Sequence, residues 1–104
     1  MDYNMNKAQR RLLILFKALA DENRLRILEE LKHGERSVTE LVECLGISQP
    51  LVSHHLRELK LAGLVDRRKQ GPFVFYRIRN LRIFDLLNQA QALFPEAGNE
   101  EGSF

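Results

Sequence analysis

Only three residues, Gly46-Ile47-Ser48, separate two segments with helical apolar spacing, and this restricts the folds open to the chain more than any other feature. Upstream, Ser37 is an N-cap for a short helix bearing Val38, Leu41, Val42 and Leu45, and Gly46 is its C-terminal stop. Downstream, Ser48 caps the next helix, Pro50 is tolerated in its first turn, and Val52, Leu56 and Leu59 line a buried face down to about Leu61. Two helices joined by so tight a glycine turn cannot lie antiparallel and must cross steeply. That is a helix-turn-helix.

The flanking segments extend this unit on both sides. A first helix is expected from about Asn6 to Leu19, with Leu12, Leu15, Phe16 and Leu19 on one stripe and Leu13 and Ile14 pointing elsewhere. A helix apolar on most of its circumference needs cover on more than one side, and a chain of 104 residues has little to spare. A second copy of the chain is therefore the expected cover. Asp21 caps a second helix carrying Leu25, Ile27, Leu28 and Leu31, which ends near His33-Gly34. After Gly63 the apolar period falls to two. Leu64 to Lys69 and Phe73 to Arg79 read as strands around Gln70-Gly71-Pro72, a hairpin or wing. A last helix places Ile83, Leu86, Leu87, Ala90, Leu93 and Phe94 on one stripe suited to helix pairing. The expected fold is mainly α with one β-hairpin: a winged helix-turn-helix of five helices and a two-stranded wing over residues 1–94, dimerised through the first and last helices. The expected seam residues are Leu12, Leu13, Phe16, Ile83, Leu87, Ala90 and Phe94. Residues 95–104, rich in Gly and Glu, are expected to be a disordered tail.

Charge separates along this framework. Residues 57–82 hold 8 basic and 2 acidic side chains, against 8 and 8 in residues 1–56 and 0 and 4 in residues 83–104. Such a local excess either engages several phosphates or is a solvated basic face. With Val52 at the centre of the buried face, the helical step sends Ser53, His54 and Arg57 to the far side of the second motif helix. Ser48 and Gln49 sit at its N-terminus, where free N–H groups suit a phosphate and Gln can pair with an adenine edge. Leu51 points outward, toward a thymine methyl or back onto the preceding helix. The wing adds Arg67, Arg68, Lys69, Arg77 and Arg79. Ser48, Gln49, Leu51, Ser53, His54, Arg57, Arg67, Arg68, Lys69 and Arg77 are the expected DNA-binding residues, and double-stranded DNA is the expected partner.

Three stretches, KALADENRLRILEEL from Lys17 to Leu31, SQPLVSHHLRELKLAGLV from Ser48 to Val65, and RRKQGPFVFYRI from Arg67 to Ile78, resemble the ArsR/SmtB (arsenic-repressor) family of bacterial winged-helix repressors. The resemblance implies a dimer built from the first and last helices, recognition helices in successive major grooves, and repression released by an effector. Many members of that family sense metals through a thiolate pair in a Glu-Leu-Cys-Val-Cys-Asp-Leu motif. The matching stretch here is Glu35-Arg36-Ser37-Val38-Thr39-Glu40-Leu41, with Ser37 and Thr39 at the ligand positions, and the last helix has no His for the family's other common site. His33, His54, His55 and Cys44 make no recognisable ligand spacing, so neither metal nor cofactor is expected. His55 is expected to pack partly buried, and Cys44 to be a small buried hydrophobe.

No phosphate loop, activated nucleophile or carboxylate pair suggests an enzyme. A single cysteine, and the lack of a signal-peptide pattern or bilayer-length apolar run, point to the cytoplasm. The expected function is a sequence-specific transcriptional regulator of ArsR type, a repressor on an imperfect palindromic operator. The alternative is a winged-helix protein-interaction module. The operator, the genes controlled and any inducer are not encoded in readable form.

Overall fold

The computed structural model describes residues 4–95; nearly all of the expected tail at 95–104 lies outside the described residues. Eight elements follow one another: α1 (Lys7–Leu19), α2 (Glu22–Leu31), β1 (Arg36–Ser37), α3 (Val38–Leu45), α4 (Gln49–Leu61), β2 (Val65–Gln70), β3 (Phe73–Ile78) and α5 (Ile83–Gln91).

Side chains set the start of every helix but the last. Asn6 Oδ1 accepts from the Gln9 N–H at 2.8 Å while Gln9 Oε1 accepts from the Asn6 N–H at 2.9 Å, and Ser37 and Glu40 repeat this reciprocal arrangement at α3. Asp21 Oδ1 takes the Arg24 N–H at 3.0 Å, and Ser48 Oγ takes the Leu51 N–H at 3.3 Å. Gly46, with φ of +68°, ends α3 in the left-handed conformation that lets Ser48 start α4 two residues later.

One core joins all three layers. Ile27, Leu28 and Leu31 from α2 meet Leu41 and Leu45 from α3, Val52, Leu56 and Leu59 from α4, and Val65 and Tyr76 from the sheet. Arginines on α2 tie the neighbouring helices to this centre. Arg26 Nη2 donates to the Leu45 carbonyl at the end of α3 at 3.0 Å, and Arg24 reaches the end of α1.

The sheet has three antiparallel strands in the order β1-β3-β2, one more than the hairpin expected from sequence. β1 is only two residues long, too short for an alternating pattern, and its Ser37 also serves as the α3 cap. It covers the open edge of β3, pairing Arg36 with Tyr76 and Ser37 with Phe75. β2 and β3 pair from Val65–Ile78 to Gln70–Phe73. They close through Gly71-Pro72, where a Gly φ of +59° followed by the fixed φ of proline fits a type II′ turn.

α5 is shorter than its apolar stripe and differently used. Ile83 and Leu87, expected in the dimer seam, are each 8 % exposed and packed, with Phe84, in the subunit's own core. Those side chains are already covered. The helix stops at Gln91, so Leu93 and Phe94 lie beyond it, exposed together with Ala90 and Leu86. On α1, Leu12, Leu13, Ile14 and Phe16 are all exposed, the last at 52 %, while Leu15 and Leu19 turn toward the core.

Candidate nucleic-acid interface

Gln49, Ser53, Arg57 and Lys60 recur at helical spacing along α4 and form one wall of a groove of about 440 Å³. The facing wall is the wing, through Arg67, Val74 and Tyr76, and the start of α3 closes the end with Ser37, Val38 and Thr39. The helix wall follows from chain periodicity, since Val52, Leu56 and Leu59 take the inward face and leave the opposite side to polar residues. The wing wall follows from strand alternation. Arg67 and Lys69 share a face with their cross-strand partners Tyr76 and Val74, while Arg68 and Asp66 share the other with Phe75 and Arg77.

This alternation divides the wing cations into two groups. On the outer face, Arg68 grips the Glu35 carboxylate with both Nε, at 3.1 Å, and Nη2, donates to Gln70 Oε1 at 2.6 Å, and lies 4.7 Å over the Phe75 ring. The hydrogen bond from Arg68 holds the Glu35 carboxyl below its ordinary pKa. Arg79 donates to Asp66 Oδ1 at 2.9 Å, and Arg77 sits 4.0 Å from Oδ2 of the same residue. Among the described residues, Arg57, Lys60, Arg67 and Lys69 make no ion pair, and all four are exposed. The first three line the groove.

The other residues expected at a DNA face are distributed more widely. Ser48 spends its hydroxyl on the α4 cap and stands beside Gln49 at the open N-terminus. His54 and Leu51 are exposed but outside the groove lining, because the helical step turns His54 by about 100° from Ser53. Thr39 and the wing-tip residue Phe73, 56 % exposed, line the groove without having been singled out at the DNA face. For Thr39 the available signal was its place in the first turn of α3, the first helix of the helix-turn-helix.

Ser37 is buried, with its hydroxyl accepting from Glu40, and among the described residues no group of three or more His, Cys, Asp or Glu could hold an ion. Cys44 is exposed rather than buried, because Leu41 and Leu45 occupy the inward face of α3. Partial desolvation and the neighbouring Glu30 carboxylate raise its thiol pKa, which disfavours the reactive thiolate. His55 is more than a packing residue: at 5 % exposure it is hydrogen-bonded to Arg24 across the α2–α4 interface.

Comparison with known proteins places this geometry among transcription factors. Residues 21–67 match the family model described as bacterial regulatory protein, arsR family. The cadmium resistance transcriptional regulatory protein CadC of Listeria innocua is 42% identical over 73 residues, 69% of this chain and 61% of that protein. The chain thus spans about three fifths of the length of such curated relatives. The transcriptional activator HlyU of Vibrio cholerae is 37% identical over 93 residues, 89% of this chain and 86% of that protein. Its solved structure superposes with a TM-score of 0.74 at 36% identity, covering 88% of this chain and 99% of that one. The homodimeric winged helix-turn-helix DNA-binding domain of Mb0332 from Mycobacterium bovis, solved by NMR as a possible ArsR-family regulator, superposes with a TM-score of 0.78. Its identity is 29%, covering 98% of this chain and 100% of that fragment. No helix among the described residues is long and apolar enough to cross a membrane.

Proposed function

Because the chain belongs to the ArsR family of bacterial regulatory proteins, we propose that it is a homodimeric, sequence-specific DNA-binding regulator that represses transcription by occupying its operator in the cytoplasm. The observation that carries this reading is the groove between α4 and the wing, with Arg57, Lys60 and Arg67 on its walls and none of them tied to a carboxylate among the described residues. A phosphate backbone supplies the charge that pairs with these cations.

In this reading α4 enters the major groove with its N-terminal end leading. Gln49 presents an amide to a base edge, Ser53 and His54 extend the contact, and Leu51 is placed for a thymine methyl. Ser48 and the first-turn N–H groups of α4 meet a phosphate. Arg67 and Lys69 carry the inner face of the wing along the adjacent backbone, while Arg68 and Arg77 act from the outer face, where they are already paired with acids. Two copies join through the exposed α1 face of Leu12, Leu13, Ile14 and Phe16 and through Leu86, Ala90 and Phe94. That two-fold pairing sets α4 and its mate about one helical turn of DNA apart, near 34 Å, and calls for an imperfect palindrome. Repression follows from bulk, since a dimer seated across two major grooves excludes other proteins from the same DNA. The substitution of Ser37 and Thr39 for thiolates supports a regulator that does not respond to thiophilic metals.

Selection of bound fragments from the source genome, followed by binding titration on the enriched sequences, tests the reading. Enrichment of a two-fold symmetric site within promoters supports it. Failure to enrich any sequence, with retention of a protein partner instead, would favour the interaction-module alternative.

A further inference from the structure

Arg24 joins three helices through one guanidinium. Its Nε donates to the Ala18 carbonyl at 2.6 Å and its Nη2 to the Lys17 carbonyl at 3.2 Å, both in the last turn of α1. Its Nη1 lies 3.2 Å from Nδ1 of His55, on the inward side of α4. Arginine has only donors, so a hydrogen bond here requires Nδ1 to accept, from a neutral imidazole with its proton on Nε2. The same Nδ1 is 3.8 Å from Oδ1 of Asp21, the α2 cap. One ring nitrogen therefore faces a cation that requires it unprotonated and an anion that would welcome it protonated.

We propose that Arg24 and His55 are positioning residues for DNA binding: the guanidinium fixes α4 against the end of α1 only while His55 is unprotonated, and protonation at Nδ1 transfers the ring from Arg24 to Asp21. The inference rests on the DNA-binding reading above. Its physical core is that α1 carries the proposed dimer face and α4 the proposed base-reading face, so a contact holding one to the other sets how far apart paired α4 helices lie. A carbonyl-anchored fork with three acceptors is well suited to this, because its planar donors leave little angular freedom.

The charges facing the ring come from two elements. Asp21 and Arg24 belong to α2 and its cap, and His54 and Glu58 flank the ring on α4. Burial pushes the His55 pKa below its ordinary value; Asp21 and Glu58 push it up, and Arg24 and His54 push it down. A histidine whose folded pKa is depressed takes up its proton more readily in the unfolded chain. The folded form therefore loses stability as pH falls through and below about 6.5, and is unaffected well above it. The Arg24 contact itself is lost lower, as pH falls through the depressed folded value. Asp21 lies below its ordinary pKa: burial raises it, but the Arg24 N–H and the charges of His55 and Arg24 outweigh that, so it remains an anion able to receive the ring.

The test uses the full chain and two readouts. Imidazole ¹⁵N spectra report the tautomer and the pH at which Nδ1 takes up its proton, and operator affinity is measured from neutral pH down through that point in a His54→Gln background, which removes the exposed histidine on the DNA side. The expected tautomer is Nε2–H at neutral pH; a proton on Nδ1 there overturns the proposal whether or not DNA binds. Affinity is expected to fall about tenfold toward the acid end, the worth of one charge-assisted hydrogen bond. His55→Asn, whose Oδ1 can accept in place of Nδ1 but cannot titrate, should bind normally at neutral pH and lose that fall. Arg24→Lys, with one nitrogen for three acceptors, should bind about tenfold more weakly per folded dimer and also lose the pH dependence. A merely structural role would lower the melting temperature of Arg24→Lys while leaving its pH profile and affinity per folded dimer unchanged, and that result refutes the strut. If wild type binds no DNA at all, the functional reading fails and the tautomer alone decides the contact.

Discussion

Removing one wing cation from each subunit should leave a quantitative trace in the salt dependence of DNA binding. Arg67 is exposed, lines the groove beside Arg57 and Lys60, and makes no ion pair among the described residues. If about three such cations per subunit neutralise phosphate, a dimer displaces about six counterions, for a slope of log affinity against log salt of about −5.4. Arg67→Ala removes two of them and should flatten the slope to about −3.6. Carried from about 1 M salt down to about 0.15 M, that difference of roughly 1.8 in slope amounts to about 30-fold weaker binding at the lower salt. Fluorescence anisotropy on a labelled operator at four or more salt concentrations measures it. The double variant Glu35→Gln with Arg68→Gln is the matched control, because it deletes one cation and one anion from the outer face and should leave the slope at about −5.4. An Arg67→Ala slope equal to wild type would refute the assignment of the inner wing face to phosphate. Equal flattening by the double variant would refute the distinction between the two faces.

Gln49→Ala should relax base preference at one position per half-site and leave the salt slope almost unchanged, as read by competition against operators varied one base pair at a time. Phe16→Glu should yield a folded monomer in sedimentation, since its side chain is exposed in the subunit, whereas Leu87→Glu should unfold the subunit by burying a charge in its core. Leu56→Ala, at a fully buried site where α4 meets the core, should cost about 2–5 kcal/mol in denaturant unfolding. A loss under about 1 kcal/mol would mean that the core is looser there than the burial implies.

Much of the fold could be read from local signals because the chain states them locally. The caps at Asp21, Ser37 and Ser48, the stop at Gly46 and the turn at Gly71-Pro72 each act within four residues of their own position. What sequence reasoning lacked was long-range. β1 is a strand only because β3 happens to lie beside it, and two residues carry no period. The fate of Ile83 and Leu87 was decided by which side of α5 meets the core, and a stripe of apolar residues looks the same whether it faces its own subunit or another. Within the candidate site, the basic run Arg67-Arg68-Lys69 reads as one patch, yet strand alternation sends its middle member to the opposite face, where Glu35, 33 residues away, is waiting. The joint role of Arg24 and His55 was hidden in the same way, by a separation of 31 residues.

Ser37 stands at the junction of two parts that sequence presents as separate, a strand against β3 and the first anchor of α3. The wing is consequently moored at both ends of its sheet, through β2 to the end of α4 and through β1 to the start of α3. A hairpin hung from one end could swivel to follow the local shape of a ligand; one moored twice moves only with the helices it borders. Each subunit is thereby a single stiff reading head. On the proposed palindrome, adjustment to half-sites set slightly closer or farther apart has to come from tilting one copy against the other, or from bending of the DNA.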